Sequence, residues 1–308
     1  MATRKEVRNR IASVKNINKI TRAMEMVAAA RLRRAEERID HLRPYAQAIR
    51  KLTRRAAEEV GDIPRVPVLE QRENVRNVGI LLITGDRGLA GAFNTNIIRE
   101  GMRLKREFED DDSHIVFSVV GRRGESALGF RQQELTHSYT GFTDRPGFAN
   151  AREIAGQLTS AYVDEELDRV ELVYNRYVSP LTQYVRRQTL LPLQEAEVFG
   201  EKAEELARDE PEWDSELVEA HRRALWLYEP EPEELLQRLV PDYVNISVYR
   251  ALLESTASEH GARMIAMRNA AENAESMIED LTLEMNRVRQ AEITQEILEV
   301  VSGAEALA

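Results

Sequence analysis

The 308-residue sequence contains no cysteine and little glycine or proline. Without cysteine, the chain cannot form a disulfide, a thiolate zinc site or an iron–sulfur cluster, and it has no cysteine nucleophile. Fifteen glycines and ten prolines exclude a collagen-like or low-complexity architecture. The five histidines lack the spacing of metal ligands, so we expect neither a metal nor a cofactor. Hydrophobic residues at 43% can build a core, and the length suggests about two structural units.

Long apolar runs are also missing. The longest, residues 79–83, is far shorter than the roughly 20 residues that a bilayer-spanning helix needs. The N-terminal region is charged from Arg4 onward, which is unlike a secretory signal. Glu6 and Glu25 are unlike a mitochondrial transit peptide, which is poor in acidic residues. We therefore expect neither a membrane span nor a leader.

Charge is distributed unevenly along the chain. The net charge is −10, yet residues 1–55 carry 16 basic and 5 acidic side chains, a net of +11. A basic segment can bind nucleic acid, a membrane surface or an acidic protein, or act as a transit peptide. Residues 1–44 contain no Trp or Phe, which disfavours a membrane-surface helix, and no aromatics alternate with the basic residues as nucleic-acid binding would favour. An acidic protein partner is the favoured explanation.

Both ends of the chain have helical periodicity. Residues 3–57 contain no glycine and one proline, and their apolar positions recur every three or four residues. Such a helix would be roughly 80 Å long, and we expect Pro44 to kink it rather than end it. Residues 241–301 repeat the pattern with a strict heptad seam, which indicates a coiled coil. The seam residues are Met264, Met267, Ala271, Ala274, Ile278, Leu281, Met285 and Val288.

The middle of the chain alternates between strand and helix patterns. Apolar or alternating runs at residues 78–84, 115–120, 169–177 and 182–190 predict strands, and residues 94–108 and 149–163 predict helices. This alternation predicts a Rossmann-like α/β domain with a largely parallel sheet between the two long helices, which can pair as an antiparallel coiled coil. The predicted divisions are a first long helix at 1–57, an α/β foot at 75–191, an acidic insertion and linker at 192–240, and a last long helix at 241–308.

A glycine-rich loop is the only candidate nucleotide site. Gly85, Gly88 and Gly91 follow a predicted strand and precede a predicted helix, where phosphate-binding loops occur. Their spacing is G-x-x-G-x-x-G, which is neither the dinucleotide nor the P-loop pattern. Asp86 and Arg87 have no neighbouring histidine or second convergent carboxylate. We predict a structural turn and no catalytic residue, with a nucleotide-binding α/β enzyme as the alternative.

Four stretches closely resemble the gamma subunit of F-type ATP synthases. They are IASVKNINKITRAMEMVAAARLRRAEERI at residues 11–39, GDRGLAGAFN at 85–94, YEPEPEELLQRLVPDY at 228–243, and the segment 251–307, which includes ITQEILEVVSGA. The resemblance implies a non-catalytic rotor shaft that couples transmembrane ion flow to ATP synthesis or hydrolysis. Its coiled coil would turn inside a hexamer of alpha and beta subunits. Its foot would rest, with the epsilon subunit, on the membrane c-ring.

The resemblance also implies where and how the chain acts. It would be a peripheral protein at the cytoplasmic face of a bacterial cell membrane, with no nucleic acid partner and no small-molecule substrate of its own. The residues that match shaft–hexamer contacts are Lys19, Arg22 and Met24 in the first helix, Arg263, Arg289, Gln290, Thr294 and Glu296 in the last helix, and Ile297, Leu298, Val300 and Val301 at its apolar tip. A coiled-coil scaffold or nucleic-acid binder is a third hypothesis, which strongly salt-dependent DNA binding would favour.

Overall fold

The computed structural model describes residues 3–60, 66–72, 74–193 and 231–305. Two long helices enclose an α/β domain in sequence, and a short 3₁₀ turn, Pro67–Leu69, leads into its first strand. The elements in chain order are α1 (Arg4–Val60), β1 (Asn77–Ile83), α2 (Phe93–Glu109), β2 (His114–Val120), α3 (Arg122–Phe130), β3 (Leu135–Tyr139), α4 (Phe148–Val163), β4 (Arg169–Tyr177), β5 (Gln183–Leu191) and α5 (Pro232–Glu305).

The α/β domain is built on a five-stranded sheet in the order β3-β2-β1-β4-β5. The first four strands are parallel, and β5 returns antiparallel to β4. Successive side chains of the central strand β1 point to opposite faces of the sheet. Ile80 and Leu82 pack with α2 and α3, whereas Leu81 and Ile83 pack with α4 and the first part of α5. Both faces of the sheet are therefore covered, as the continuous apolar sequence of β1 predicts.

The two long helices pack antiparallel and form a rod. Near one end, Val7 and Ile11 of α1 contact Leu281, and toward the other end Ala46 and Ile49 contact Ile246. Between them, the Asn18 side-chain amide donates to the Ala271 carbonyl at 2.8 Å. The predicted fold class, an antiparallel coiled coil with a Rossmann-like α/β domain, is confirmed.

The predicted heptad seam on α5 is the face that contacts α1. Its eight members are buried or half-buried, while most residues between them are exposed. The seam includes Ala271 and Ala274, and small side chains also lie buried on α1 at Ala28 and Ala35. Small residues let the two backbones approach closely, so the rod is narrow along much of its length.

Two elements of the domain were not predicted. The helix α3 contains Gly124, whose added Cβ would lie 2.5 Å from the side chain of Val119 and 2.6 Å from that of Thr84. Glycine lowers helix propensity, so the close packing that requires it also hides the helix in the sequence. The edge strand β3, with the sequence LTHSY, has only one buried residue, Tyr139, and little apolar signal.

The long helices differ in extent from the expected ranges. Helix α1 continues to Val60 through Pro44. Helix α5 begins at Pro232 and runs through Pro241, the residue at which the last helix was expected to begin. Most of the predicted acidic insertion, residues 194–230, lies outside the described residues. The proposed division into four segments stays a prediction.

Enlarging a seam alanine should force the rod apart. We expect Ala271→Leu or Ala274→Leu to lower the free energy of unfolding by about 1–3 kcal/mol, because the closely packed helices must shift to admit the larger side chain. Ala270→Leu is the matched control, because Ala270 lies one position off the seam and is only half-buried. Denaturant unfolding of the three variants measures the difference. Equal stability in all three would contradict the observed register.

Candidate functional site

The glycine-rich loop after β1 is a turn fitted against α5. Gly91 has a φ of +55°, and Leu89 also has a positive φ of 63°. A Cβ at Gly85 would lie 2.7 Å from the Glu259 carboxyl group, so any larger residue there would displace that carboxyl group. The glycines therefore serve the turn and the close approach of α5, as the structural interpretation of the spacing predicts.

The carboxylate of Asp86, in this loop, is bonded to two other segments of the domain. It accepts hydrogen bonds from the backbone N–H groups of Arg122 at 3.1 Å, Gly141 at 2.9 Å and Thr143 at 3.2 Å. The Thr143 hydroxyl donates a fourth bond at 3.0 Å. Burial opposes ionisation, but the hydrogen bonds from Gly141, Arg122 and Thr143 outweigh it and lower the pKa of Asp86. Asp86 is thus an internal anion that joins three segments of the domain.

The base of the rod is a stretch of α5 that is buried on all sides although many of its side chains are polar. Residues 251–261 are all buried. Three hydroxyl groups in this stretch donate to backbone carbonyls of the sheet and its loops. These bonds join Ser255 to Ile83 at 3.3 Å, Thr256 to Thr143 at 2.9 Å, and Ser258 to Asn175 at 3.2 Å. The Thr256 hydroxyl has one proton, which it shares between Thr143 and the Leu252 carbonyl of its own helix at 2.8 Å. Hydrogen bonds as well as apolar packing therefore anchor α5 to the domain.

A buried ion pair lies one helical turn further along α5. Glu259 and Arg263 are only 1% and 8% exposed, and the guanidinium Nη2 contacts the Glu259 carboxylate. The same guanidinium donates to the Gly88 carbonyl through Nη2 at 3.3 Å and Nε at 3.4 Å. Burial raises the pKa of Glu259, and Arg263 opposes that shift. Arg263 thereby links α5 to the glycine-rich loop.

The neighbouring His260 is held neutral. Its Nδ1 lies 3.2 Å from Nη1 of Arg263, and since arginine can only donate, Nδ1 is the acceptor. Burial, reinforced by the Arg263 guanidinium, lowers the pKa of His260 to about 4. Asp144 and Arg31 are the other charged residues that act on this imidazole.

Among the side chains of α1 that the structure describes, two make polar links to the domain. Arg31 donates to Asp144 at 2.8 Å, and the Tyr177 hydroxyl donates to the Glu36 carboxylate. Burial and the Glu36 carboxylate raise the pKa of Tyr177. The base of the rod is therefore fastened mainly through α5, with α1 held beside it.

The middle of the rod carries exposed ion pairs between its two helices. Arg22 contacts Glu275 at 3.0 Å, and Arg268 contacts Glu25 at 2.9 Å. Exposed pairs of this kind contribute about 0.2–1 kcal/mol each. Among the predicted contact residues, Lys19 is exposed and Met24 is half-buried beside these pairs.

The tip of the rod is a single helix. Helix α1 begins at Arg4, near the level of Leu281 and Met285, so the last 17 residues of α5 extend about 25 Å beyond their partner. Residues 293–302 are all exposed, and so are Arg289 and Gln290. The exposed apolar members are Ile293, Ile297, Leu298, Val300 and Val301.

The apolar residues of the tip do not continue the seam. At about 100° per residue, the nine steps from Val288 to Ile297 make roughly two and a half turns. Ile297 therefore lies on the side of the helix opposite the seam. The opposite face of the tip carries Glu292, Gln295 and Glu299. The tip is therefore amphipathic, and its apolar face points away from where α1 would extend. An exposed apolar face of this kind is typical of surfaces that bind another molecule.

Of the predicted contact residues, Arg263 is the one that the fold buries. The others on α5 (Arg289, Gln290, Thr294, Glu296, Ile297, Leu298 and Val301) lie on the exposed tip. The residues that sequence reasoning missed are the polar anchors at the base, Ser255, Thr256, Ser258 and Glu259. In the sequence they form a polar stretch in a helix that otherwise has a regular apolar pattern. Such a stretch is equally typical of a solvent-exposed helix face, so it did not identify them.

No helix in the described ranges is both long and apolar enough to span a bilayer. The same residues hold no cluster of three or more side chains suited to a metal ion.

Comparison with known proteins gives one consistent result. A family model described as ATP synthase matches residues 3–307. The chain is 42% identical to the ATP synthase gamma chain of Nostoc sp. over the full length of both proteins. It is 40% identical to that of Rubrobacter xylanophilus, covering all of this chain and 99% of the relative. It is 39% identical to the "ATP synthase gamma chain, sodium ion specific" of Acetobacterium woodii, covering 98% of each.

Solved structures have the same architecture. A chain of the central stalk and c-ring structure of Tetrahymena thermophila mitochondrial ATP synthase matches with a TM-score of 0.57 and 27% identity. That match covers 82% of this chain and 99% of the other. A chain of the Euglena gracilis mitochondrial ATP synthase matches with a TM-score of 0.63 over 99% of this chain and 94% of the other. At 19% identity, the second match supports the fold alone.

The neutral His260 predicts a pH-dependent stability. In the unfolded chain its pKa should be near 6.5, whereas in the fold it is about 4, so the unfolded state binds more protons between these values. The free energy of unfolding should therefore fall as the pH falls from about 6.5 to 4, by up to about 3 kcal/mol from this group.

Denaturant unfolding of the isolated chain across this pH range measures the effect. The control is His260→Gln, which keeps a polar side chain but cannot titrate, and its stability should fall less steeply. Parallel pH profiles for the two proteins would show that His260 is not the titrating group.

Proposed function

The chain belongs to the ATP synthase family, as one of its gamma chains, and we propose that its rod is the shaft of a rotary motor. The shaft couples ion flow across a membrane to ATP synthesis or hydrolysis in a hexamer of alpha and beta subunits. The chain itself is non-catalytic, because the nucleotide sites belong to the hexamer. The observation that carries this proposal is the bare tip of α5, which extends about 25 Å past α1 with an apolar face and no partner among the described residues.

The proposed hexamer contacts lie along the shaft and its tip. On α1 they are the exposed Lys19 and Arg22 and the half-buried Met24. On the tip of α5 they are Arg289, Gln290, Thr294, Glu296, Ile297, Leu298, Val300 and Val301. Arg263 is left out of this set, because its guanidinium is buried and already bonded to Glu259 and Gly88.

Weak contacts suit a shaft that must turn. A strong ion pair formed at only one rotation angle would stabilise the shaft at that angle and raise the barrier to the next rotational step. A barrier raised by about 1.4 kcal/mol slows a step about tenfold. Exposed cations on α1 and apolar side chains at the tip form interactions that can be exchanged for equivalent ones as the shaft rotates. The excess of basic side chains in residues 1–55 favours acidic surfaces on the hexamer as partners.

The α/β domain is proposed as the foot, which contacts the epsilon subunit and the membrane c-ring. Large apolar side chains on it are exposed, most of all Phe130 at 89% and Leu181 at 79%, which supports contacts with other subunits. Close identity to bacterial gamma chains supports a place at the cytoplasmic face of a bacterial cell membrane, as a peripheral part of the complex.

The alternative of a nucleotide-binding enzyme is not favoured. The first two N–H groups of the loop are already used within the domain: Gly85 donates to Asn94 Oδ1 at 2.8 Å, and Asp86 donates to the Thr143 hydroxyl at 2.9 Å. The carboxylate of Asp86 would also repel a phosphate bound beside it.

Placing a charge on the apolar face of the tip tests the proposal. Leu298→Asp replaces an exposed residue, so the stability of the isolated chain should change by no more than about 0.5 kcal/mol. If the tip packs inside the hexamer, the same change buries an unpaired carboxylate and should weaken assembly or coupled turnover at least tenfold, since about 1.4 kcal/mol is tenfold.

The matched control is Gln295→Asp, which adds the same charge to the polar face of the same helical segment. The measurements are co-purification with alpha and beta subunits and the ratio of ion pumping to ATP hydrolysis in vesicles. Equal behaviour of the two variants would contradict a contact between the apolar face and the hexamer.

A further inference from the structure

Side-chain hydrogen bonds from the shaft to backbone carbonyls of the foot lie in one short segment of α5. The hydroxyl anchors at Ser255, Thr256 and Ser258 and the guanidinium of Arg263 all bond to backbone carbonyls of the foot. These anchors cover about two turns of helix. Torque passed between the foot and the shaft crosses this segment as well as the apolar packing of α5 before it, at Val240, Val244 and Val248, and the links from α1.

Arg263 is the outermost of these hydrogen-bonded anchors. Helix α5 runs from the foot toward the tip, so Arg263 lies nearest the free part of the shaft, which continues for about 40 residues to Glu305. Without its bond to Gly88, the outermost of the remaining hydroxyl anchors would be Ser258, five residues and about 7 Å closer to the foot.

The acceptor of this bond is itself rigidly held. The Gly88 carbonyl belongs to the turn that contains Asp86, and the Asp86 carboxylate is bonded to Arg122, Gly141 and Thr143. A force on Arg263 therefore passes into the first turn of α3 and the loop after β3, rather than into an isolated loop.

Three further features fix the direction of the guanidinium. Glu259 pairs with Nη2, the neutral His260 accepts from Nη1, and Gly85 leaves room for the Glu259 carboxylate. A planar guanidinium can serve these partners and Gly88 together, whereas an ammonium group offers no such fixed fork.

We propose that the buried Glu259–Arg263 pair is a torsional latch, in which Arg263 is a positioning residue that locks the shaft to the Gly88 carbonyl of the foot. The latch lets the foot and the shaft turn as one body, so that rotation of the foot is not lost in bending at the base. This inference rests on the proposed rotor function and adds to it the residues that transmit torque.

The test replaces both members of the pair. Glu259→Gln with Arg263→Met removes the two buried charges together, which avoids leaving either one unpaired. The matched control is Glu25→Gln with Arg268→Met, which removes an ion pair of the same composition from the exposed middle of the shaft. Arg263→Lys is a second variant that keeps the charge beside Glu259 but cannot reproduce the fork.

The readout is angular motion of the foot in complexes with an immobilised alpha–beta hexamer. Because the chain has no cysteine, Asp111→Cys on the exposed loop before β2 gives a single attachment point for a probe. With the shaft stalled, the probe on the latch variant should have a broader angular distribution than the wild type, and Arg263→Lys should be intermediate. The control variant should match the wild type. In vesicles, the ratio of pumping to hydrolysis should fall for the latch variant only.

The outcomes separate this inference from the proposed function. A wild-type chain that neither assembles with the hexamer nor rotates would refute the rotor function itself. The latch proposal would be overturned if the wild type rotates but the probe has the same angular width in the latch variant as in the control variant. If the latch variant fails to assemble, Arg263→Lys is compared with the wild type instead. Equal angular widths of the probe in these two proteins would also overturn the proposal.

Discussion

The architecture depends on the close approach of two long helices that, beyond the α/β domain, have no third helix beside them among the described elements. A rod of two helices has no core apart from its seam, so its stiffness rests on a narrow line of small and apolar side chains. Ala271 and Ala274 on α5, with Ala28 and Ala35 on α1, let the backbones come together along that line. Along the rod, the helix residues that lie off the seam can be charged and exposed, and can form contacts with partners.

The rod changes character from base to tip, and each zone suits a different mechanical task. At the base, α5 is buried on all sides and tied to the foot by hydroxyl groups and by Arg263. In the middle, the helices are joined by exposed ion pairs such as Arg22–Glu275, which are individually weak. At the tip, α5 is alone and presents an apolar face. A shaft needs this order, because it must be held firmly where torque enters and must slide where it turns.

The sequence predicted the features that rest on periodicity. Heptad spacing identified the seam from Met264 to Val288, and apolar runs located β1, β2, β4 and β5 to within one residue. It missed α3, because Gly124 packs against Thr84 and Val119 and weakens the helical pattern. It also gave no means of separating Arg263 from the exposed arginines of the tip, since burial of a charged residue depends on partners, here Glu259 and Gly88, that lie on a turn of helix and on a distant loop.

The most direct test of the rotor account is the position of the chain within an assembled complex. The chain, co-expressed with alpha and beta subunits and imaged by cryo-electron microscopy, should lie on the axis of the hexamer with residues 289–305 inside the ring. The α/β domain should project from one end of the ring. Density for the α/β domain within the ring, or for the whole chain on the outer surface of the hexamer, would contradict the account.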